Sequence, residues 1–186
     1  ALCAPLVKFV PEGNINPPTG SMRYPGTISL SASTYEALLT DIASSLKQSG
    51  FTDIVMIGDS GGNQSGMANV ADALGADWTD DETRIHFVRA FYEPGWVATE
   101  DYTQRELGVA ESSNDGYHDD IWVTAMMMVT DPEQVRFSQR VNAGLASING
   151  VAITPLEDTI ELGRKMIEFR AEYTARAIQK VVASKN

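Results

Sequence analysis

The stretch that decides the fold is Ile54-Val55-Met56-Ile57-Gly58-Asp59-Ser60-Gly61-Gly62-Asn63. An apolar run of strand length ends there at a polar, glycine-rich turn, and the pattern from Gln64 onward predicts a helix. In an open α/β sheet, ligands bind in the crevice beyond the carboxyl ends of the strands. Two adjacent glycines allow the backbone to approach a ligand closely, and the helix that follows points its N–H groups at it. We therefore expect this turn to form one edge of an active site.

Three polar side chains in this turn strengthen that expectation. Asp59 supplies a carboxylate, Ser60 a hydroxyl and Asn63 an amide. A helix cap needs only one such group, so the convergence of three favours a functional role. An ordinary capped strand-to-helix turn is the alternative interpretation.

The composition limits the class of protein. The chain has 186 residues, which fits one domain over residues 1–186 with a sizeable core. Its 14 basic and 25 acidic residues give a net charge of −11, which disfavours broad binding to nucleic acid or to an anionic membrane surface. The single cysteine, Cys3, excludes an internal disulfide framework and a multi-thiolate zinc site. No apolar run reaches the length of a membrane span, and the cellular compartment stays open.

Strands alternate with helices along the chain. Periodicity and capping signals predict strands at residues 6–10, 53–57 and 84–88, and helices at residues 33–49, 64–74, 99–107, 121–129 and 156–183. A capping box of Ser33 and Glu36 is predicted to begin the first helix. This order predicts an α/β fold, a three-layer α/β/α sandwich with a mostly parallel sheet. Because the sequence opens inside a predicted strand, we expect an N-terminal portion of the domain to be missing.

A long loop at residues 11–26 separates the first predicted strand from the first helix. It holds four of the eight prolines of the chain. Loops of this length inside compact domains are usually functional or part of an interface. Arg23 and Tyr24 are therefore candidates to line a substrate pocket, although the loop equally suits a subunit contact.

Two short blocks resemble the SGNH (GDSL) hydrolases. The first is Gly58-Asp59-Ser60 after a strand, and the second is Asp115-Gly116-Tyr117-His118, which has the Asp-x-x-His form of that family. The resemblance implies that Ser60 attacks an acyl carbon, His118 takes its proton and Asp115 orients the imidazole. The Gly-x-Asn-Asp block of the family does not occur between the two. A serine esterase is therefore one hypothesis for the function.

A wider resemblance, to the creatininase (creatinine amidohydrolase) family, runs through most of the chain. Four phrases occur in the order of that family: Tyr24-Pro25-Gly26-Thr27-Ile28-Ser29-Leu30, like F-P-G-T-I-S-L; residues 58–63, like N-G-H-G-G-N; residues 116–128, like G-x-H-A-G-x-x-E-T-S-x-M-L; and Pro132-Glu133-Gln134-Val135, like Pro-Glu-x-Val. Four phrases in order are much more specific than any one glycine motif. The resemblance implies an α/β sandwich, usually a hexamer, that hydrolyses a cyclic or linear amide with one or two divalent metals. Such metals polarise the carbonyl and lower the pKa of a bound water.

The departures from the family pattern fall on its metal ligands. The metal-binding histidine of N-G-H-G-G-N aligns with Ser60, the histidine before F-P-G-T with Ser21, and the carboxylate of E-T-S with Val123. The Glu-x-His-Gly motif of the family lies before the point where this sequence begins. Serine hydroxyls are poor zinc ligands, so a standard dinuclear site cannot be assembled from these positions.

The remaining donors indicate a substitute metal site. Asp59, His118 and Asp119 would suit zinc or manganese if the missing segment contributes further ligands. This requires the turn at residues 59–63 to face the loop at residues 117–120. The ordinary alternative is that His118 hydrogen-bonds at a helix start and that Asp119 or Asp120 caps that helix and favours its dipole.

Three hypotheses for the function follow. The first is a divergent metal-dependent amidohydrolase, a homo-oligomer that acts on a small cyclic amide or a related C–N bond. In it, Gly61, Gly62 and Asn63 contact the small-molecule substrate together with Arg23 and Tyr24. The second is the serine esterase. The third is a catalytically degenerate member of the family that binds a small molecule or serves as a scaffold subunit.

Overall fold

The computed structural model describes residues 1–113 and 119–184, and the chain divides into two compact units. The first unit consists of Ala1–Tyr92 together with the chain from Ala177 onward, and the second unit is Glu93–Arg176. One domain over residues 1–186 stays a prediction. The elements of the first unit, in chain order, are α1 (Ala32–Gln48), β1 (Asp53–Met56), α2 (Gly61–Asp77) and β2 (Arg84–Phe87). Those that follow are α3 (Gly95–Arg105), α4 (Ile121–Thr130), α5 (Phe137–Asn142), β3 (Ser147–Ile148), β4 (Val151–Ala152) and α6 (Leu156–Ala183).

The first unit is built on a parallel β-α-β arrangement. Strands β1 and β2 pair in parallel, with Asp53 opposite Arg84 and Met56 opposite Phe87, and α2 forms the crossover between them. Helices α1 and α2 enclose the core with the two strands, and its buried apolar side chains are Tyr35, Leu39, Ala43, Ile54, Met67, Val70, Leu74 and Trp78. This arrangement confirms the α/β class and a parallel sheet. The three-layer sandwich remains a prediction.

Helix α1 shows how local sequence determines an element. The helix begins at Ala32 because Ser31, not Ser33, is the N-cap: the Thr34 backbone N–H donates to Ser31 Oγ (N···O 3.1 Å). The last residue of the helix is Gln48, and the predicted stop, Gly50, follows with a φ of +86° and donates its N–H to the Lys47 carbonyl oxygen at 2.9 Å.

Other elements differ from the predictions at their ends. Residues 6–10, predicted as a strand, form no paired strand among the described residues, and the Leu30 N–H donates to the Val10 carbonyl oxygen at 3.2 Å. Helix α2 begins at Gly61 rather than at Gln64 because Ser60 caps it. Helix α3 begins at Gly95 rather than at Thr99. The longest helix, α6, has the predicted bounds.

The second unit is mostly helical. Its buried apolar residues lie mainly on α4, with Met166 on α6, and they are Ile121, Trp122, Ala125, Met128, Ile148, Ile153 and Met166. The two helices approach closely because Gly163 has no side chain: a Cβ there would lie 2.1 Å from the Ala125 carbonyl oxygen. Strands β3 and β4 pair antiparallel through a turn in which Asn149 and Gly150 both have positive φ, as a tight hairpin requires. Within residues 1–113 and 119–184, every helix is too short or too polar to cross a bilayer.

Candidate functional site

The turn between β1 and α2 is organised around the hydroxyl of Ser60. Ser60 is the N-cap of α2, with an extended backbone, and its Oγ accepts a hydrogen bond from the Gly62 N–H (N···O 3.3 Å). The same hydroxyl donates to Oε1 of Glu12 at 2.9 Å. The Ser60 hydroxyl therefore accepts a hydrogen bond from the helix and donates one to a carboxylate 48 residues earlier in the chain.

Glu12 is held in place through its backbone. Its N–H donates to Ser29 Oγ at 2.9 Å, and its carbonyl oxygen accepts from the Ser21 N–H at 2.9 Å. Ser29 is buried, and its hydroxyl donates in turn to the Gly13 carbonyl oxygen at 2.8 Å. The long loop predicted to be functional therefore fixes a carboxylate at the first turn of α2.

Gly62 allows this loop to lie against the helix. A Cβ at Gly62 would lie 1.8 Å from the Pro11 carbonyl oxygen, so no other residue fits without moving backbone. A Cβ at Gly61 would lie 3.1 Å from the hydroxyl oxygen of Tyr92, a tight contact with a side chain. Both glycines are exposed, which leaves the front of the turn open to a ligand.

Beneath the turn, buried amides hold the backbone. Gln64 Nε2 lies 2.9 Å from the carbonyl oxygens of Gly58 and Ser60 and 2.8 Å from Asn63 Oδ1, and these three acceptors share its two N–H hydrogens. Asn63 is buried and acts here as an acceptor that fixes Gln64. Gln64 Oε1 is also buried, and among the described residues it has no hydrogen-bond partner.

The structure brings some of the predicted site residues together. Ser60, Gly61, Gly62 and Asn63 share the turn. Asp59 is exposed beside them. In the same unit, Arg23 and Tyr24 lie exposed at the end of a short 3-10 helix (Gly20–Arg23).

The other predicted residues belong to the second unit. Asp119 is exposed, just ahead of the buried Asp120 at the start of α4. Asp115 and His118 lie outside the described residues. The Ser60–His118–Asp115 triad and the shared cleft for Asp59 and His118 therefore stay predictions.

Comparison with protein families identifies the family of this chain. The model of the creatininase family, described as creatinine amidohydrolase, matches residues 1–178. The chain belongs to the creatininase family. The resemblance noted in the sequence is confirmed, and it associates this creatininase-family chain with amidohydrolase activity, which in the family is typically metal-dependent and carried out by oligomers. Comparisons with curated proteins and with solved structures gave no match.

The metal that the family implies needs several donor side chains close together. Among residues 1–113 and 119–184, no three His, Cys, Asp or Glu side chains are grouped so that they could hold a metal ion. At the position of the family's metal-binding histidine, the Ser60 hydroxyl donates a hydrogen bond to Oε1 of Glu12. The described residues by themselves therefore do not fit a metal ion.

In the second unit, the carboxyl group of Glu111 has an altered pKa. Burial raises the pKa of Glu111, and the negative charges of Asp120 and Glu100 raise it further. Hydrogen bonds from the Ile121 N–H (2.8 Å) and from Asn149 Nδ2 (2.9 Å), both to Glu111 Oε1, act in the opposite direction. Glu111 therefore links the start of α4 to the turn of the β3–β4 hairpin.

Sequence reasoning missed Glu12 and Gln64. Glu12 lies in the loop singled out as functional, and a carboxylate between Pro11 and Gly13 was the only available signal. The sequence pattern predicts Gln64 as the first residue of α2, and nothing in it shows that the side chain folds back under the turn.

Proposed function

We propose that this chain hydrolyses a C–N bond in a small cyclic or linear amide, with its reaction centre at the turn of residues 58–63. The observation that carries the proposal is the family match over residues 1–178, which includes this turn and the loop packed on it. The exposed glycines and the polar groups of Asp59 and Ser60 supply the contacts that a small substrate needs.

The turn suits the charge that develops during amide hydrolysis. Attack on an amide carbonyl places negative charge on its oxygen, and helix N-termini stabilise such charge through their N–H groups and dipole. Helix α2 has 17 residues, and its first turn is exposed at Gly61 and Gly62. Arg23 and Tyr24, on the same unit, are proposed to contact the substrate.

Metal dependence is a separate part of the proposal. Zinc or manganese bound by Asp59, His118 and Asp119 would polarise the amide carbonyl. The described residues do not by themselves provide such a site, so elemental analysis of the purified protein and turnover before and after chelation decide this part. We also propose a three-layer sandwich and a single domain for this chain. The chain is further proposed to form a homo-oligomer, a hexamer by family resemblance, and light scattering tests that assembly.

The central experiment measures hydrolysis of a panel of amides. The full chain is incubated with creatinine, other cyclic amides and linear amides, and ring opening or amine release is followed by mass spectrometry. Asp59→Asn should lower turnover at least about tenfold, since it removes a charged group at the reaction centre. Asp72→Asn, an exposed change further along α2, is the matched control and should leave turnover unchanged.

The catalytically degenerate hypothesis makes the opposite prediction. Binding of a small amide in calorimetry, without turnover of any member of the panel at any added metal concentration, would replace the hydrolase proposal by a binding or scaffold role.

A further inference from the structure

We propose that Ser60 and Glu12 form a nucleophile–base pair, in which Ser60 Oγ attacks an acyl carbon and the Glu12 carboxylate accepts its proton. This is a second activity at the turn, ester or acyl-transfer chemistry through a covalent intermediate. It does not depend on amide hydrolysis or on a bound metal.

The distance between the Ser60 hydroxyl and the Glu12 carboxylate suits a nucleophile and its base. A nucleophile and its base must lie within hydrogen-bond reach, about 2.6–3.2 Å. The Ser60 Oγ to Glu12 Oε1 distance is 2.9 Å, and the hydroxyl is the donor. The backbone of Glu12 is fixed by its hydrogen bonds to Ser29 and Ser21. These bonds keep the Glu12 carboxylate close to the Ser60 hydroxyl.

The surroundings of the Ser60 hydroxyl also favour its role as a nucleophile. Gly62 N–H donates to Ser60 Oγ, and the N-terminal end of α2 favours negative charge on that oxygen as it loses its proton. Both Ser60 and Glu12 are half-buried, while Gly61 and Gly62 beside them are exposed. A small acyl compound can therefore approach Ser60 without displacing a side chain of this turn.

A third, independent observation is a buried hydrogen-bond acceptor of the turn that the turn's own donors leave without a partner. Gln64 donates through Nε2 to the carbonyl oxygens of Gly58 and Ser60, which fixes the orientation of its amide. Its Oε1 is buried and has no donor among the described residues. Buried acceptors of this kind normally have a partner, so an N–H or O–H group from outside these residues is expected here.

The proposed step is balanced in atoms and charge. With a substrate R–CO–X, the bond from Ser60 Oγ to the acyl carbon forms, the C–X bond breaks, and the proton passes from Ser60 to Glu12 and then to X. Water then attacks the acyl-serine, gives a proton to Glu12, and releases R–COOH as the proton returns to Ser60. A carboxylate is a weaker base than imidazole, so activated esters are expected to react more readily than amides.

The test uses a fluorophosphonate probe on the folded, full chain. In that reaction Ser60 Oγ bonds to phosphorus, fluoride leaves, and the proton passes to Glu12. Intact mass should show one adduct, which peptide mapping places on Ser60. Ser60→Ala should abolish it, and Ser65→Ala, which removes an exposed serine of the same helix, should leave the labelling rate unchanged.

The decisive variant is Glu12→Gln. Glutamine still accepts the hydrogen bond from Ser60 but is not a base, so the labelling rate should fall by about a hundredfold or more. Glu82→Gln, an exposed change outside the site, is the control. Rates are compared at a temperature where circular dichroism shows every variant to be folded.

Three outcomes would overturn the pair. These are no labelling of the folded wild-type chain, equal labelling of Glu12→Gln and wild type, and loss of labelling in His118→Ala while Glu12→Gln still reacts. The last would assign Ser60 to the triad instead. None of them bears on amide turnover, so failure of this inference and failure of the proposed function are separately visible.

Discussion

Asp53 lies directly opposite Arg84 in the parallel pairing of β1 with β2, and its Oδ1 forms an ion pair with Arg84 Nη2 at 2.8 Å. The same oxygen lies 2.9 Å from His86 Nε2. Arg84 also donates to the carbonyl oxygens of Val182 (3.1 Å) and Ser184 (3.2 Å) at the end of α6. Arg84 therefore links the Asp53 carboxylate on β1 to the end of the last helix.

Asp53→Asn is expected to destabilise the chain by about 1–2 kcal/mol, because it removes the charge that pairs with Arg84 while keeping the shape. Urea denaturation measures the free energy of unfolding. The exposed Asp72→Asn is the control, and an unchanged midpoint for Asp53→Asn would show that the network adds nothing to stability.

Gly62→Ala is expected to destabilise the chain by about 1–3 kcal/mol, since the new Cβ would meet the Pro11 carbonyl oxygen at 1.8 Å and the loop must move. Gly75→Ala in the same helix has no neighbour within 4 Å and should instead stabilise the chain by up to about 1 kcal/mol. Thermal unfolding of the two variants compares them. Equal effects would contradict the close approach of loop and helix.

The cap of α1 separates the structure from the sequence prediction. Ser31→Ala should cost about 1 kcal/mol of stability, because Thr34 N–H loses its acceptor. Ser33→Ala should cost much less, since Ser33 is already inside the helix. If instead Ser33→Ala is the more damaging change in chemical denaturation, the helix begins at the predicted capping box.

Glu111 predicts a pH dependence of stability. Its pKa is raised in the folded protein, so the folded state binds the proton more tightly than the unfolded state. The stability that this provides is complete below about pH 4.5 and is lost as the pH rises through the raised pKa.

Glu111→Gln keeps an acceptor for Ile121 N–H and Asn149 but cannot ionise. The variant should lose less stability than wild type between pH 4 and 7, as measured by urea denaturation at each pH. The exposed Glu82→Gln should follow the wild-type curve. Parallel curves for Glu111→Gln and wild type would refute the shift.

Local pattern predicted those parts of the fold that local interactions determine. The apolar stripe of α6 gave its bounds, and the run that ends at Gly58 gave β1 and the turn after it. Residues 6–10 have the composition of a strand, but a strand also needs a partner, and composition carries no information about one.

Only one part of the candidate site, the turn of residues 58–63, could be predicted from the sequence. Ser60 and its glycines are adjacent in sequence, so the turn could be identified directly. Glu12 reaches Ser60 only because the loop is folded through contacts of its own, such as that of Ser29 Oγ with the Gly13 carbonyl oxygen. Such contacts depend on the conformation of a proline-rich loop, which periodicity does not describe.

The bonds of Arg84 to the carbonyls of Val182 and Ser184 bear on how the protein is made. The first unit is discontinuous, since it begins with Ala1–Tyr92 and is completed only by the chain from Ala177 onward. Proteins emerge from the ribosome amino terminus first, so the second unit is synthesised before the guanidinium of Arg84 meets its last acceptors. The first unit therefore completes its folding only after Glu93–Arg176 has been synthesised, whereas Glu93–Arg176 is continuous and does not wait for a later segment.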